Sequence, residues 1–366
     1  MLLTTSRPLS KAVSRSLLSD AIALKLRRSY AIQAGGAPIV EVFDSRTKLA
    51  HKQRAGSNTV QSRQVDYLRD EVALRLCDRL LDINRHFPKV LDFGANACNI
   101  ARALTQPGIV PEEGQESASK AMEPISKRVG EILCTDTSPA MLYRDKHEAF
   151  NQEIAIKREV LKNAEYLPYE PGTFDLVMSS YSLHWINDLP SVLTQINHVL
   201  KPDAPFIAAM AGGDSLYELR GSLQLAEQER LGGIGTHVSP LADVRDCGNL
   251  LNRAGFKLLT VDVDDIVVDY PNVFALMADL QAMGEANAAL RREQGPISRD
   301  VLLATEAIYR DLYGEEQSDG GVTIPATFRT IYMIGWKESP DTPQPLERGT
   351  GQSNLVDVLG GGGRIG

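Results

Sequence analysis

The chain has 366 residues, 43% hydrophobic and 23% charged, with a net charge of −8 at pH 7. That length is enough to bury a full core, and the composition is that of a globular protein, while the acidic balance argues against general nucleic-acid affinity. No stretch reaches the roughly 18 uninterrupted apolar residues that a membrane-spanning helix needs. Cys77, Cys98, Cys134 and Cys247 are scattered, which suggests neither a disulfide framework nor a metal cluster.

Residues 1–30 carry Arg7, Lys11, Arg15, Lys25, Arg27 and Arg28 against one acid, Asp20, with many serines. This is the composition of a mitochondrial transit peptide, expected to be cut close to Tyr30–Ala31; a disordered basic arm is the alternative. Residues 31–63 read as a basic lead-in, with Arg46, Lys48, Lys52, Arg54 and Arg63 forming a solvated arm or an anionic docking patch. Val65, Leu68, Val72, Leu76 and Leu80 then recur at three-four spacing, which predicts an amphipathic helix over 64–82. Strand 89–93 and helix 97–104 follow, and 105–128, rich in proline, glycine and charge, reads as an inserted surface loop. Strand 132–135 ends at Asp136, and Thr137-Ser138-Pro139 caps a helix. Strands at 155–161, 174–179 and 205–210 flank a helix over 189–200. Beyond residue 212 the pattern predicts helices at 214–230, 240–254, from Asn272 and at 298–313. It also predicts strands at 257–262, 265–269 and 326–337. The expected fold is α/β, a doubly wound, mostly parallel seven-stranded sheet within 64–337, with a helical cap from 214–255 and 271–315. The glycine-rich tail 338–366 is expected to be disordered.

In an open α/β sheet, ligands sit outside the carboxyl ends of the strands. The first strand ends in Asp92-Phe93-Gly94-Ala95-Asn96-Ala97-Cys98. Glycines in such a turn let backbone approach a ligand. The strand order and this turn resemble the class I S-adenosylmethionine methyltransferase fold, which implies further glycines where Asn96 and Cys98 stand, so the loop is either reshaped or its grip on a cofactor weakened. The same resemblance implies that Asp136 accepts hydrogen bonds from ribose hydroxyls, with a helix N-cap as its alternative role, and that Asn163-Ala164 is the adenine-contacting turn. His184 and Trp185 fall just past the end of the fourth strand, one as an acid–base group, the other as a pocket wall; packing is the plainer role for both. Gly212-Gly213-Asp214 opens a segment that puts Asp214 and Glu218 one helical turn apart, either at the pocket or as a cap and a solvated acid. Gly284 interrupts a helical stretch and presents Glu285. No metal set is legible: His51, His86, His147, His184, His198 and His237 do not make an iron facial triad or a zinc helix.

Ser182–Pro190, Gly212–Arg220, Gln281–Glu285 and Ile331–Lys337, in that order, resemble the family of mitochondrial complex I assembly factor five, a likeness running from about Val42 to Lys337. The resemblance implies hydroxylation of an arginine in the iron–sulfur subunit of complex I, near the quinone site. It also implies a matrix protein able to sit peripherally on the inner membrane, with S-adenosylmethionine as a candidate cofactor. Catalytic residues would be His184, Trp185, Asp214, Glu218 and Glu285; cofactor-binding residues would be Asp92, Gly94, Asp136, Asn163 and Ala164. No residue set supplies an oxidant. An ordinary methyltransferase and a non-catalytic assembly chaperone on a degenerate fold remain the alternatives.

Overall fold

A computed structural model of the protein describes residues 41–106, 124–292, 295–317 and 320–343. The transit-peptide reading, most of the 105–128 insertion and the tail beyond 343 lie outside the described residues. Residues 339–342 make a small turn, with Ser339 and Thr342 both buried and hydrogen-bonded to each other.

Three helices open the described chain: α1 (Ser45–Ser57), α2 (Thr59–Gln64) and α3 (Tyr67–Asp78). The strands are β1 (Phe87–Phe93), β2 (Val129–Asp136), β3 (Ala155–Val160), β4 (Leu176–Ser180), β5 (Pro205–Ala211), β6 (Phe256–Tyr270), β7 (Glu315–Glu316) and β8 (Val322–Lys337). Between and beyond them lie α4 (Asn99–Thr105), α5 (Pro139–Leu142), α6 (Leu189–Val199), α7 (Tyr217–Leu231), α8 (Val244–Arg253), α9 (Val273–Met283) and α10 (Arg299–Tyr313). The sheet runs β3-β2-β1-β4-β5-β8-β6, and the two-residue β7 pairs with β8 at its margin. β1 to β5 pair in parallel, whereas β8 is antiparallel to both neighbours. β4 and β5 are buried along their whole lengths, as parallel strands covered on both faces must be. One core layer joins Leu68, Val72 and Leu76 of α3 to Val90 and Met178, while the other joins Val192, Leu193 and Ile196 of α6 to Leu91 and Val177. The strand order reverses at β1, between β2 and β4, so the crevice opens there.

Three expectations need correction. The two strands at 257–262 and 265–269 are one strand, β6, which stays paired with β8 across a register shift between Lys257 and Thr260. The helix over 240–254 is not part of a cap: Cys247 and Leu251 of α8 pack with α6 and Phe256 on the sheet. The largest difference concerns 31–63, where the lead-in is ordered secondary structure from Ser45 onward. Asp44 caps α1 by accepting from the amides of Arg46 (3.0 Å) and Thr47 (3.2 Å). Its buried stripe is Lys48, Lys52, Ala55 and Gly56, helical spacing written with lysines instead of aliphatics. Ahead of it, the amides of Val42 and Phe43 donate to Asn187 Oδ1 (2.8 Å each), and Asp44 N donates to Ala288 O (2.8 Å). Those bonds lay α1 across the strand ends. Gly56 approaches the Ala140 backbone so closely that a Cβ would sit 2.5 Å from the Ala140 carbonyl carbon.

Candidate functional site

Two cavities meet at the carboxyl ends of the strands. The larger, about 490 Å³, is walled by aliphatic side chains of α7 and α9, among them Leu219, Leu223, Met277 and Leu280. The smaller, about 210 Å³, lies under α1 and is lined by Gly94, Asn96, Asp136, Asn163 and Ala164. Tyr181, Trp185 and Glu285 line both.

The smaller cavity holds four of the five residues expected to contact a cofactor. Gly94 adopts φ +72°, and a Cβ there would meet Ser182 Oγ at 2.1 Å, so the position requires glycine. Asn96 (φ 51°) and Cys98 (φ 61°) also take left-handed conformations. Both positions therefore hold the left-handed backbone that glycine favours, which goes against the reshaped-loop alternative. The Cys98 side chain turns into the core, its thiol 3.9 Å from Leu142 O, and it does not line the cavity. Asn96 does, with a buried Oδ1 that has no partner. Asp92 is the exception: it is fully buried, does not line the cavity, and has only the Cys134 thiol, at 3.8 Å, beside its Oδ2. Burial first, then Cys98 and Asp136, push its carboxyl well above the usual range.

Asp136 is where β2 predicted it, but it is not bare. Oδ2 receives Lys52 Nζ at 2.5 Å and Asn96 N at 3.0 Å; Oδ1 receives Ser138 N at 2.9 Å. The N-cap of α5 is Ser138, whose Oγ accepts from Met141 N at 3.3 Å. Oδ1 keeps one free lone pair for a ribose hydroxyl. Together with the open backbone at Gly94 and the orphaned Asn96 Oδ1, the residues present fit the adenosyl part of S-adenosylmethionine.

At the junction of the cavities stands Glu285, in the turn after α9 that Gly284 (φ +76°) permits. Its Oε1 accepts from Arg69 Nη2 at 2.6 Å; its Oε2 accepts from Lys48 Nζ at 2.9 Å and Trp185 Nε1 at 2.6 Å. His184 Nε2 lies 3.5 Å from the same oxygen, which gives the imidazole an acid partner. Burial opposes the charge of Glu285, but Lys48, His184 and Arg69 outweigh it and hold the carboxyl well below its usual range. Burial lowers His184 below the ordinary histidine range in spite of Glu285. At Lys48 burial dominates too and pushes the amine down to about 7. The Lys48 ammonium also lies 3.8 Å from the centroid of the Trp185 ring and donates to Gly284 O at 2.8 Å. Tyr181, buried in the wall shared by both cavities, carries φ 51° and a hydroxyl without a hydrogen-bond partner. Non-glycine strain of this kind concentrates at ligand sites.

The structure does not bring Asp214 and Glu218 into either cavity. Asp214, with a side chain 65% exposed, pairs with Arg329 of β8. Glu218 is buried but turned to β8, where it accepts from the Thr327 hydroxyl and, at 3.3 Å, from Thr327 N. The residues that sequence reasoning missed are Lys48, Lys52 and Arg69. The signal was available as the Asp44 cap and the 48-52-55-56 spacing, but lysines on a helix are ordinarily solvated, and only the acids opposite them make burial affordable. Among the described residues no group of histidine, cysteine, aspartate and glutamate is arranged to hold a metal.

Comparison with known proteins places the chain in a family. A protein-family profile for a methyltransferase domain matches residues 114–208. The solved YcgJ protein of Bacillus subtilis aligns with 73% of the chain and 98% of its own length, at 16% identity and a TM-score of 0.45. The malonyl-[acyl-carrier protein] O-methyltransferase of Halorhodospira halophila is 32% identical, covering 81% of this chain and 89% of that protein. The human mitochondrial arginine-hydroxylase NDUFAF5 is 43% identical, over 85% of this chain and 81% of that protein. The zebrafish (Danio rerio) protein of the same name is 43% identical, over 90% of this chain and 92% of its own length. The chain belongs to the family of the mitochondrial arginine-hydroxylase NDUFAF5.

Proposed function

We propose that the chain is a mitochondrial protein-arginine hydroxylase that serves complex I assembly by adding oxygen to an arginine of the iron–sulfur subunit near the quinone site. The carrying observation is the 43% identity that extends over 90% of the chain to the zebrafish relative bearing that name. The basic, serine-rich residues 1–30 support a matrix address. Among the described residues no helix is long and apolar enough to cross a membrane, which suits peripheral contact with the matrix face of the inner membrane. His184, Trp185 and Glu285 are the residues we assign to holding the arginine for the reaction; the oxidant that delivers the oxygen is not among them. A guanidinium is a planar cation with five donors, suited to a carboxylate and an aromatic face, and Glu285 with Trp185 supplies both. The aliphatic walls of the larger cavity suit the methylenes of the arginine.

The second reading is an S-adenosylmethionine-dependent methyltransferase, favoured by the retained cavity around Gly94, Asp136, Asn163 and Ala164. That cofactor would supply an electrophilic methyl group there, with Asp136 on the ribose and Asn163-Ala164 at the adenine. Expressing this chain in human cells that lack NDUFAF5 tests the first reading. Restored complex I together with restored arginine oxidation supports it. Import into mitochondria with neither restored overturns it.

A further inference from the structure

Glu285 Oε2 is filled before any substrate arrives. It already accepts from Lys48 and Trp185, while Oε1 accepts from Arg69, so a guanidinium reaches Oε2 and the Trp185 face together only by taking the place of a resident donor. Arg69 cannot yield. Its side chain is 2% exposed, is tied to Met283 O at 2.7 Å, and stays charged at any relevant pH. Trp185 is neutral and donates through its ring edge, leaving its face for a cation. Lys48 is different. Its ammonium makes both contacts that a substrate guanidinium needs, the Oε2 hydrogen bond and the position over the Trp185 ring.

We propose that Lys48 is a resident stand-in for the substrate cation, and that an arginine guanidinium takes its place on Glu285 and Trp185 while Lys48 leaves as a neutral amine. This rests on the arginine-hydroxylase reading and names the residue that sets its specificity for a cation. The charges facing the amine are Glu285, Arg69 from α3, His184 from the turn after β4, and Lys52 and His51 from its own helix; Lys52 is itself matched by Asp136. A guanidinium added to Lys48 and Arg69 would put three cations around one buried carboxylate. Breaking one N–H bond of Lys48 and releasing the proton to solvent restores the balance. The amine keeps its hydrogen bond to Gly284 O, so it needs no new partner. Burial has already brought the amine to about 7, which makes that loss inexpensive near neutrality.

The consequence is proton-linked binding. If only the neutral-lysine form accepts the guanidinium, affinity scales with the neutral fraction, and a group titrating near 7 gives about tenfold tighter binding at pH 8 than at pH 6. The experiment is titration calorimetry of the full chain with a blocked nonapeptide carrying one central arginine, at pH 6 and 8, in two buffers of different ionisation heat. The citrulline peptide is the uncharged control. Wild type should release protons at pH 6 with the arginine peptide alone. Lys48→Met should bind with neither proton release nor a pH slope, and Lys48→Arg, a fixed cation, should bind weakly at both pH values. Proton release that persists in Lys48→Met, or wild-type affinity in Lys48→Arg, overturns the role of Lys48. Failure of wild type and every folded variant to bind the arginine peptide overturns the arginine reading itself, and with it this proposal.

Discussion

Replacing Glu285 by glutamine removes one charge and leaves two buried cations facing an amide. Lys48 and Arg69 have side-chain exposures of 10% and 2%, so solvent cannot take over the role of the carboxylate. The glutamine can offer one oxygen, while its NH₂ group confronts the donors of Lys48, Arg69 or Trp185. Breaking a buried ion pair from one side costs about 3–5 kcal/mol, and this site loses two pairs at once, with Lys48 able to relieve part of the cost by discharging. We therefore expect Glu285→Gln to lose about 3–5 kcal/mol in urea unfolding at pH 7. Lys48→Met alone should lose less, because Glu285 keeps Arg69 and Trp185 and the methionine restores apolar contact. The double variant should then be more stable than the sum of the two single losses by at least about 1 kcal/mol, the scale expected for residues that share one partner. Additive losses, or a Glu285→Gln variant within about 0.5 kcal/mol of wild type, would refute the claim that this cluster is one electrostatic unit.

Other outcomes follow from the same structure. Lys48 titrates lower in the folded protein than in the unfolded chain, so between pH 7 and 10.5 the unfolded state binds more protons. Stability should rise with pH from 7 to 8.5, with a slope contribution of up to about 1.4 kcal/mol per pH unit that Lys48→Met removes in chemical denaturation. Gly94→Ala forces a Cβ onto Ser182 at φ +72° and should cost about 2–4 kcal/mol; adding Ser182→Gly, which clears the clash, should recover more than half of that by thermal melting. Asp214→Asn should change arginine-peptide affinity less than twofold in calorimetry, because its partner is the half-exposed Arg329 outside both cavities.

The parts of the fold legible in the sequence were those written in hydrophobic period. α6 (Leu189–Val199) shows it, with Val192, Leu193, Ile196 and Val199 buried behind the Asp188 cap and Pro190. The lining of the smaller cavity was legible at Gly94, Asp136, Asn163 and Ala164 because each sits at or just past a strand end, although β3 itself is largely exposed and carries no apolar run. Glu285 was visible through Gly284, the one glycine breaking an apolar helix. What could not be read were contacts between distant charges. Lys48 is 237 residues from Glu285, and Lys52 is 84 from Asp136, and no local pattern distinguishes a buried lysine from a solvated one. Asp214 and Glu218 failed for the complementary reason. The helix was also read as starting too early: α7 begins at Tyr217 and Asp214 lies in the turn before it, and the acids were taken by Arg329 and Thr327 of β8, an antiparallel neighbour more than a hundred residues downstream.

The most direct test of the account is mass spectrometry of the target arginine from mitochondria that lack this protein, complemented with the wild-type chain or with the Glu285→Gln, Lys48→Met double variant. The account predicts one added oxygen on the arginine with the wild type, and an unmodified arginine in the deletion and in the folded double variant. A methyl group in place of the oxygen, or oxygen that persists without the protein, would contradict it.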